Sequence, residues 1–417
     1  MRVLSLRERD TVPVGGDGAL SDREAEALAA LGPRLPPGAL ERQHRAIRFG
    51  PFCGVIQVPG LTVELLPKTG RGARPDEDAR GVLVAMLAAA GHLRVTHAGN
   101  AGLGRQDRHL LDVFILDFCA LVAAALRGGP IARYVEREEN LRAVRGRLQL
   151  TEHLRVNAFD RSRVLCRFDE RSLDNAHNRV LRSVIGQLRG QSLGGRARAV
   201  ATSLLHRFDT VADVPARAAD VDALAFDRTT EGWRGVFAQA CWLLRRLYPD
   251  VRAGDAEGSA LLFDMERLFE TVLGRRIMRL CARRPGMGLR VVLQGPPRTL
   301  ADGAFGLRPD IAVTDAVGKV VAILDAKWKR LDPAAGSGGV ANADAYQLAA
   351  YAGRYDCGRL ALVYPASANC PAGMVRSHRL LLPGGPVLDV VAVDLAELAW
   401  GRGVPAGLDR VLGIGPD

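Results

Sequence analysis

Lysine is nearly missing from this chain. Of its 57 basic residues only four are lysines, Lys68, Lys319, Lys327 and Lys329. Arginine serves wherever charge alone suffices, so each lysine raises the question of whether a compact ammonium is needed, which a planar guanidinium does not replace. Cysteine is scattered: positions 53, 119, 166, 241, 281, 357 and 370 make an odd number with no CxxC pair. That pattern speaks against a disulfide framework or a structural zinc site and fits a reducing compartment. The long apolar run Leu110 to Leu126 is interrupted by Asp112 and Asp117, which excludes a membrane span. The opening MRVLSLRERD lacks the apolar core of a signal peptide, so the expected location is the cytoplasm, with no membrane partner. No Gly-x-x-x-x-Gly-Lys-Ser/Thr loop occurs, so hydrolysis of a nucleoside triphosphate by this chain is not expected. No internal repeat is visible.

What is present bounds the rest. A chain of 417 residues is long enough for two or three domains with real cores, and a hydrophobic content of 48% rules out wholesale disorder. The formal net charge of +11 favours an anionic partner, with nucleic acid first.

Hydrophobic periodicity predicts an α+β protein. Arg2 to Leu6 alternates as a strand does. Ser21 to Leu31 predicts a helix, with Ser21 and Glu24 spaced as a capping box. Gly54 to Lys68 reads as a hairpin turning at Pro59-Gly60, and Thr69 to Asp78 as a loop. From Ala79 to about Arg127 the pattern is helical, with Leu110 to Leu126 as a buried core helix. Arg133 to Leu148, with its alternating charges, reads as an exposed ribbon or elbow, or as a solvated hairpin. Asp174 is a candidate N-cap for a helix running to about Arg189, with Asn178 and Arg179 on its first turns, placed to tie down the entering loop. Arg196 to Phe208 and Gly232 to Tyr248 predict further helices, joined by a connector. Ser259 to Cys281 reads as one helix, with Glu266 and Glu270 on one face. Strands are then expected at Leu289 to Gln294, Leu307 to Thr314 and Lys319 to Trp328, a Gly-rich loop at Asp332 to Val340, a helix at Ala341 to Tyr355, and strands at Arg359 to Tyr364, Arg376 to Leu382 and Val387 to Val393. The expected domains are 1–155 (strand-rich, then helical), 156–250 (helical) and 251–417.

The chemistry concentrates between Leu307 and Arg330. A Pro309-Asp310 step precedes the apolar run Val320 to Leu324, which ends in Asp325-Ala326-Lys327. Alternation on a strand points Asp325 and Lys327 the same way. Two carboxylates and a lysine at a sheet edge can hold a divalent cation and activate water. Ordinary charges on two surface strands are the alternative. The spacing matches the motif of the PD-(D/E)XK nuclease superfamily. Glu270 either adds a third oxygen to the metal shell or pairs with Arg267 or Arg275 on the surface. Gln347 and Tyr351 share a helix face about twenty residues beyond Lys327, which resembles the RecB-like branch of that superfamily, where such a pair braces the site and meets DNA. Lys329 lies beside the site, whereas Lys319 sits in an expected hairpin turn and reads as solvated.

Further pieces carry a fuller resemblance. They are Val63-Glu64-Leu65-Leu66-Pro67-Lys68, Arg145-Gly146-Arg147, Cys166 with Asp174-Asn175 and Asn178-Arg179-Val180-Leu181, Leu268-Phe269-Glu270, Arg308-Pro309-Asp310 and Leu324-Asp325-Ala326-Lys327-Trp328-Lys329. In this order and spacing, from about residue 50 to 350, the chain resembles the McrC family, the nuclease subunits of McrBC modification-dependent restriction systems. The resemblance implies an N-terminal strand-rich and helical region followed by a C-terminal PD-(D/E)XK, restriction endonuclease-like α/β core. It implies Mg2+ or Mn2+ held by Asp310, Asp325, the Ala326 carbonyl and Glu270, with Asp310, Asp325 and Lys327 catalytic and Gln347, Tyr351 and Lys329 supporting the site or meeting DNA. It further implies a McrB-like AAA+ GTPase hexamer as partner, with GTP bound by that partner, and double-stranded DNA carrying modified cytosine as substrate. The Arg133 to Arg147 ribbon and the Lys68 hairpin are then candidate contacts for the motor. Two other functions are weighed against this one: a regulatory scaffold that activates the GTPase around a vestigial nuclease core, which starts from the same resemblance, and a stand-alone nucleic-acid-binding protein, which the net charge of +11 suggests.

Overall fold

The computed structural model describes residues 2–16, 18–68, 75–93, 109–247, 258–401 and 403–414. Most of the loop expected from Thr69 to Asp78 and the middle of the helical stretch expected from Ala79 lie outside the described residues. The fold is mixed α+β, and its contacts divide it into two compact units, 1–110 with 255–417, and 111–254. Of the expected domain boundaries, the one near 250 lies close to the end of the second unit, whereas the one at 155 falls inside it.

In the first unit, a four-stranded sheet runs in the order Arg2–Arg7, Leu61–Leu66, Phe52–Val58, Ser259–Asp264. Leu61, Val63 and Leu65 alternate into a core with Ile56, Val58 and Leu28 and Leu31 of the Asp22–Leu31 helix. That helix starts with the expected capping box, in which Ser21 and Glu24 exchange hydrogen bonds. The hairpin's alternation suggests one solvated face, yet every residue of both its strands is buried. The reason is Glu64, which accepts two hydrogen bonds from Arg80 of the Pro75–Ala89 helix and one from the Leu110 N–H at 2.9 Å. Those donors let a carboxylate sit inside.

Ser259–Asp264 is a strand and not the first part of a helix, which corrects the sequence reading. Its antiparallel register sets Leu262 against Gly54. Gly54 has φ +144°, and a Cβ there would lie 1.9 Å from the Leu261 carbonyl oxygen, so only glycine admits this neighbour. A pairing between residues so distant in sequence outweighs local helical periodicity. The helix begins at Met265, where the Asp264 carboxylate accepts from the N–H groups of Glu266 and Arg267 at 2.9 and 3.2 Å, and it runs to Ala282.

The same unit holds a six-stranded sheet in the order Arg290–Leu293, Ile311–Thr314, Val320–Ala326, Arg359–Pro365, Val387–Val393, Gly373–Arg379. Val320–Ala326 and Arg359–Pro365 are central and parallel to each other. The Asn342–Tyr355 helix packs Leu348 and Tyr351 into one cluster with Ile323, Leu360, Leu362 and Val390. The strand expected from Leu307 to Thr314 is broken. Ala304–Leu307 belongs to a separate hairpin with Arg298–Ala301, and Ile311–Thr314 to the main sheet. Pro309 has no N–H to give a ladder, so Pro309-Asp310 forms the corner between them.

The second unit contains helices Leu110–Leu126, Ala176–Gln191, Gly195–Leu205 and Arg234–Leu247 and an antiparallel ribbon of Arg133–Leu141, Val164–Ser172 and Arg147–Leu148. No described helix is long and apolar enough to cross a membrane. Asp112 accepts from the N–H groups of Leu193 and Gly194 at 3.1 and 2.8 Å, and Asp117 from Gln239 at 2.9 Å. The acids that interrupt the apolar run therefore bind neighbouring helices. The N-cap of the Ala176–Gln191 helix is Asn175, not Asp174. Asp174 is turned to Arg179, at 2.7 Å, and to the Ala212 N–H. Asn178 donates to the carbonyls of Ile131 and Leu173, both at 2.7 Å, and so ties down the entering loop.

Candidate active site

Four elements of the first unit deliver the site. The buried strand Val320–Ala326 carries Asp325, which is 1% exposed, to the end of the sheet. The Pro309 corner presents Asp310, whose carboxylate accepts the Ala326 N–H at 2.9 Å. This bond fixes Asp310 against the end of the strand that bears Asp325 and leads into Lys327. The corner is held from the other side, where Gln294 and Gly295 donate their N–H groups to the carbonyls of Asp310 and Pro309 at 2.7 and 2.8 Å. The Met265–Ala282 helix supplies Glu270, and the Asn342–Tyr355 helix supplies Asp344, Gln347 and Tyr351.

Lys327 is ringed by acceptors. Its ammonium forms an ion pair with Asp325, donates to Gln347 Oε1 at 3.2 Å and lies 3.9 Å from Asp344. Gln347 Nε2 donates to the Tyr351 hydroxyl at 2.8 Å, and that hydroxyl donates to the Arg308 carbonyl at 3.0 Å. Because Tyr351 spends its proton on Arg308, Gln347 must give it an N–H, which turns the amide oxygen toward Lys327. One polar chain thus connects Lys327 to the residue before Pro309. Burial alone would lower the Lys327 pKa, but Asp325 and Asp344 outweigh it and raise it. The Tyr351 hydroxyl is pushed up to about 12, chiefly by burial.

The carboxylates repel one another. Burial, followed by the charge of Asp325, pushes Asp310 up to about 7. Asp325 is raised by burial although Lys327 opposes the shift. Glu270 is raised by burial and by Asp325, while a hydrogen bond from Gln294 works the other way. The negative charges of Asp310, Asp325 and Glu270 thus act on one another, an arrangement that a divalent cation would relieve. Among the described residues no three carboxylate, imidazole or thiol groups form a metal cage. The donor set suits a hard cation that keeps several waters and takes only one or two carboxylates, as Mg2+ does.

The sequence-predicted residues Asp310, Asp325, Lys327, Gln347 and Tyr351 come together in this way. Glu270 reaches the same group of acids but is bonded to Gln294, and neither Arg267 nor Arg275 is its hydrogen-bond partner. Lys329 pairs with Asp344 at 2.5 Å. Lys319 pairs with Asp356 at 3.2 Å, away from this network, and is 59% exposed. Sequence reasoning missed Gln294, Asp344 and Glu8. Asp344 offered a signal, since an acid in the first turn of the helix bearing Gln347 lies three positions from it on the same face.

A mixed α+β fold with a carboxylate–lysine site at the ends of central strands defines the general class. The family follows from comparison. Residues 47–365 match the model of the McrBC 5-methylcytosine restriction system component family, and the chain belongs to that family. The fold is similar to a chain of the refined half-complex from the tetradecameric assembly of Thermococcus gammatolerans McrB AAA+ hexamers with bound McrC. That likeness has a TM-score of 0.73 and 17% identity over 96% of this chain and 98% of that one. A second likeness, to the cryo-EM structure of the Thermococcus gammatolerans McrBC complex, has a TM-score of 0.54 and 22% identity over 67% of this chain and 88% of that one. No curated protein matches the chain.

Proposed function

We propose that this chain is a McrC-like, Mg2+- or Mn2+-dependent DNA endonuclease with a PD-(D/E)XK core, which cuts DNA carrying modified cytosine together with a McrB-like AAA+ GTPase. The observation that carries this reading is the convergence of half-buried Asp310 and buried Asp325 on Lys327, braced by Gln347 and Tyr351. The likeness to chains solved with McrB hexamers supports the choice of partner.

Asp310, Asp325 and the Ala326 carbonyl would hold the cation, with Glu270 beside them. A cation held there would supply Lewis-acid polarisation of the scissile phosphodiester and a lowered pKa for a bound water. The chain's own residues do the rest. Lys327, gripped by Asp325, Asp344 and the Gln347 carbonyl oxygen, is placed to orient water and to offset charge on the phosphorane-like transition state. Gln347 and Tyr351 hold that ammonium in register with the Asp310 corner.

Stimulation of GTP hydrolysis would fall to other residues. Between residues 134 and 159 of the second unit, on the first ribbon strand, the Leu150–Val156 helix and the adjoining loops, Tyr134, Val144, Leu150, Leu154, Val156 and Phe159 are all more than half exposed. Solitary exposed apolar residues are ordinary, but six within one short segment fit a protein-binding surface. This observation keeps the scaffold reading in view, and one experiment separates the two. Asp325→Ala and Lys327→Ala are assayed for cleavage of methylated DNA and for GTP turnover with the partner. Both variants should lose cleavage and keep GTP stimulation. Cutting retained by both removes the nuclease assignment, and a wild type that stimulates GTP hydrolysis without cutting supports the scaffold.

A further inference from the structure

Trp328, the residue after Lys327, is held by the N-terminal strand of the chain. Its indole Nε1–H is shared between both carboxylate oxygens of Glu8, each at 2.9 Å. Glu8 directly follows the Arg2–Arg7 strand, is 4% exposed, and also accepts the Lys68 N–H at 3.3 Å. The other side of the indole meets Phe269, with ring centroids 5.5 Å apart, and Phe269 adjoins Glu270. Two positions further on, Arg330 donates to the Lys68 carbonyl at 2.7 Å. The segment that leaves the catalytic strand is thus pinned to the N-terminal sheet at Glu8 and Lys68.

A buried carboxylate bonded mainly to neutral donors is a poor route to stability, because a well-packed apolar pair does as well or better. What it confers is direction. An indole N–H aimed at a fixed acceptor sets the orientation of Trp328, and Lys327 is one residue away. Packing alone does not set it, since a cavity of about 160 Å3 lined by Glu8, Lys68, Trp328, Lys329 and Pro365 opens beside the indole. We infer that Glu8 is a positioning residue for the candidate active site. Through Trp328 it sets the exit of the catalytic strand, so that the N-terminal sheet, about 320 residues away in sequence, helps define where Lys327 and the cation-binding carboxylates sit. Glu8 touches no reacting group itself.

The inference rests on the nuclease reading, and the test separates the two. Mn2+ is titrated calorimetrically into the full chain as wild type, Asp325→Ala, Glu8→Gln and Trp328→Phe. The Trp328 indole resonance and thermal unfolding are recorded alongside. Trp328→Phe keeps the packing on Phe269 and removes the donor, so it is the variant expected to stay folded. Its Mn2+ affinity should fall by about tenfold, the size of one lost bond to a charged group, and that of Glu8→Gln by less, since one oxygen acceptor remains. In Glu8→Gln the indole resonance should shift. Mn2+ binding that Asp325→Ala leaves intact overturns the reading of the site and this inference with it. Binding that Asp325→Ala abolishes but Glu8→Gln and Trp328→Phe leave unchanged overturns the inference alone. A lower melting temperature with unaltered Mn2+ affinity does the same, because it marks a purely structural contact.

Discussion

The candidate site should cost this protein stability, and replacing Asp310 by Asn tests that directly. Folding moves the Asp310 pKa from an ordinary 3.8 up to about 7, through burial and the nearby charge of Asp325. The unfolded chain releases this proton near pH 4, whereas the folded chain holds it to near neutrality. Between those values the folded state binds more protons, so stability is greatest in acid and falls as pH rises through the window. A shift of about 3 units at about 1.4 kcal/mol per unit sets a ceiling of about 4 kcal/mol. Because Asp310 and Asp325 titrate together, the ceiling belongs to the pair, and about 1–2 kcal/mol is expected from one substitution. Asparagine keeps an oxygen for the Ala326 N–H, so the corner survives. Urea denaturation without divalent cations should show Asp310→Asn more stable than wild type at pH 8 by that amount, with the gap narrowing as pH falls through the window and closing below the unfolded pKa of 3.8. Added Mn2+ should stabilise the wild type and not the variant. A variant less stable than wild type at pH 8, or a difference that does not change with pH, would refute the picture of crowded carboxylates.

Glu64 makes the opposite case. Burial raises its pKa, but the bidentate Arg80 pair outweighs that and lowers it. Its stabilisation is therefore present above the unfolded pKa and lost as pH falls through the folded one. Glu64→Gln should cost about 3 kcal/mol at pH 7 in urea denaturation, with the gap to wild type closing toward pH 3. Tyr351→Phe removes the hydroxyl between Gln347 and Arg308, so stability should drop by about 1 kcal/mol and cleavage more steeply, while GTP turnover of the partner is unchanged. Leu154→Ser with Phe159→Ser should shift unfolding by less than about 0.5 kcal/mol, because both side chains are exposed, yet reduce stimulation of the partner's GTP turnover. Gly54→Ala places a methyl on the Leu261 carbonyl and should cost more than about 3 kcal/mol by calorimetry.

What could be read in the sequence depended on how local each signal was. The capping box at Ser21 and Glu24, the buried helix from Leu110 and the i, i+4 pair Gln347 and Tyr351 each lie within a few residues, and all appear as expected. The scarcity of lysine was informative at Lys327, whose ammonium meets Asp325, Asp344 and Gln347 from several sides in a way a flat guanidinium would not. It said nothing useful at Lys319, an exposed partner of Asp356. The roles of Gln294 and Glu8 were not legible. Each depends on a partner far along the chain, Glu270 for one and Trp328 for the other, and no periodicity encodes such a meeting.

The misread segment Ser259 to Asp264 changes how the site is built. Read as helix, it makes the nuclease core a free-standing C-terminal piece that starts afresh near residue 251. As a strand against Phe52–Val58, it hands the chain from the N-terminal sheet straight into the helix that carries Phe269 and Glu270. The Glu8–Trp328 clasp joins the same sheet to the residue after Lys327. The sheet therefore reaches the site from two sides, once through the backbone at Asp264 and once through a side chain. A displacement of the sheet must move Glu270 or Lys327, or else break a buried hydrogen bond. A C-terminal fragment beginning near residue 251 would lack both the partner strand of Ser259–Asp264 and the acceptor of Trp328. Such a fragment should fold poorly and bind Mn2+ weakly even with Asp310, Asp325 and Lys327 all present.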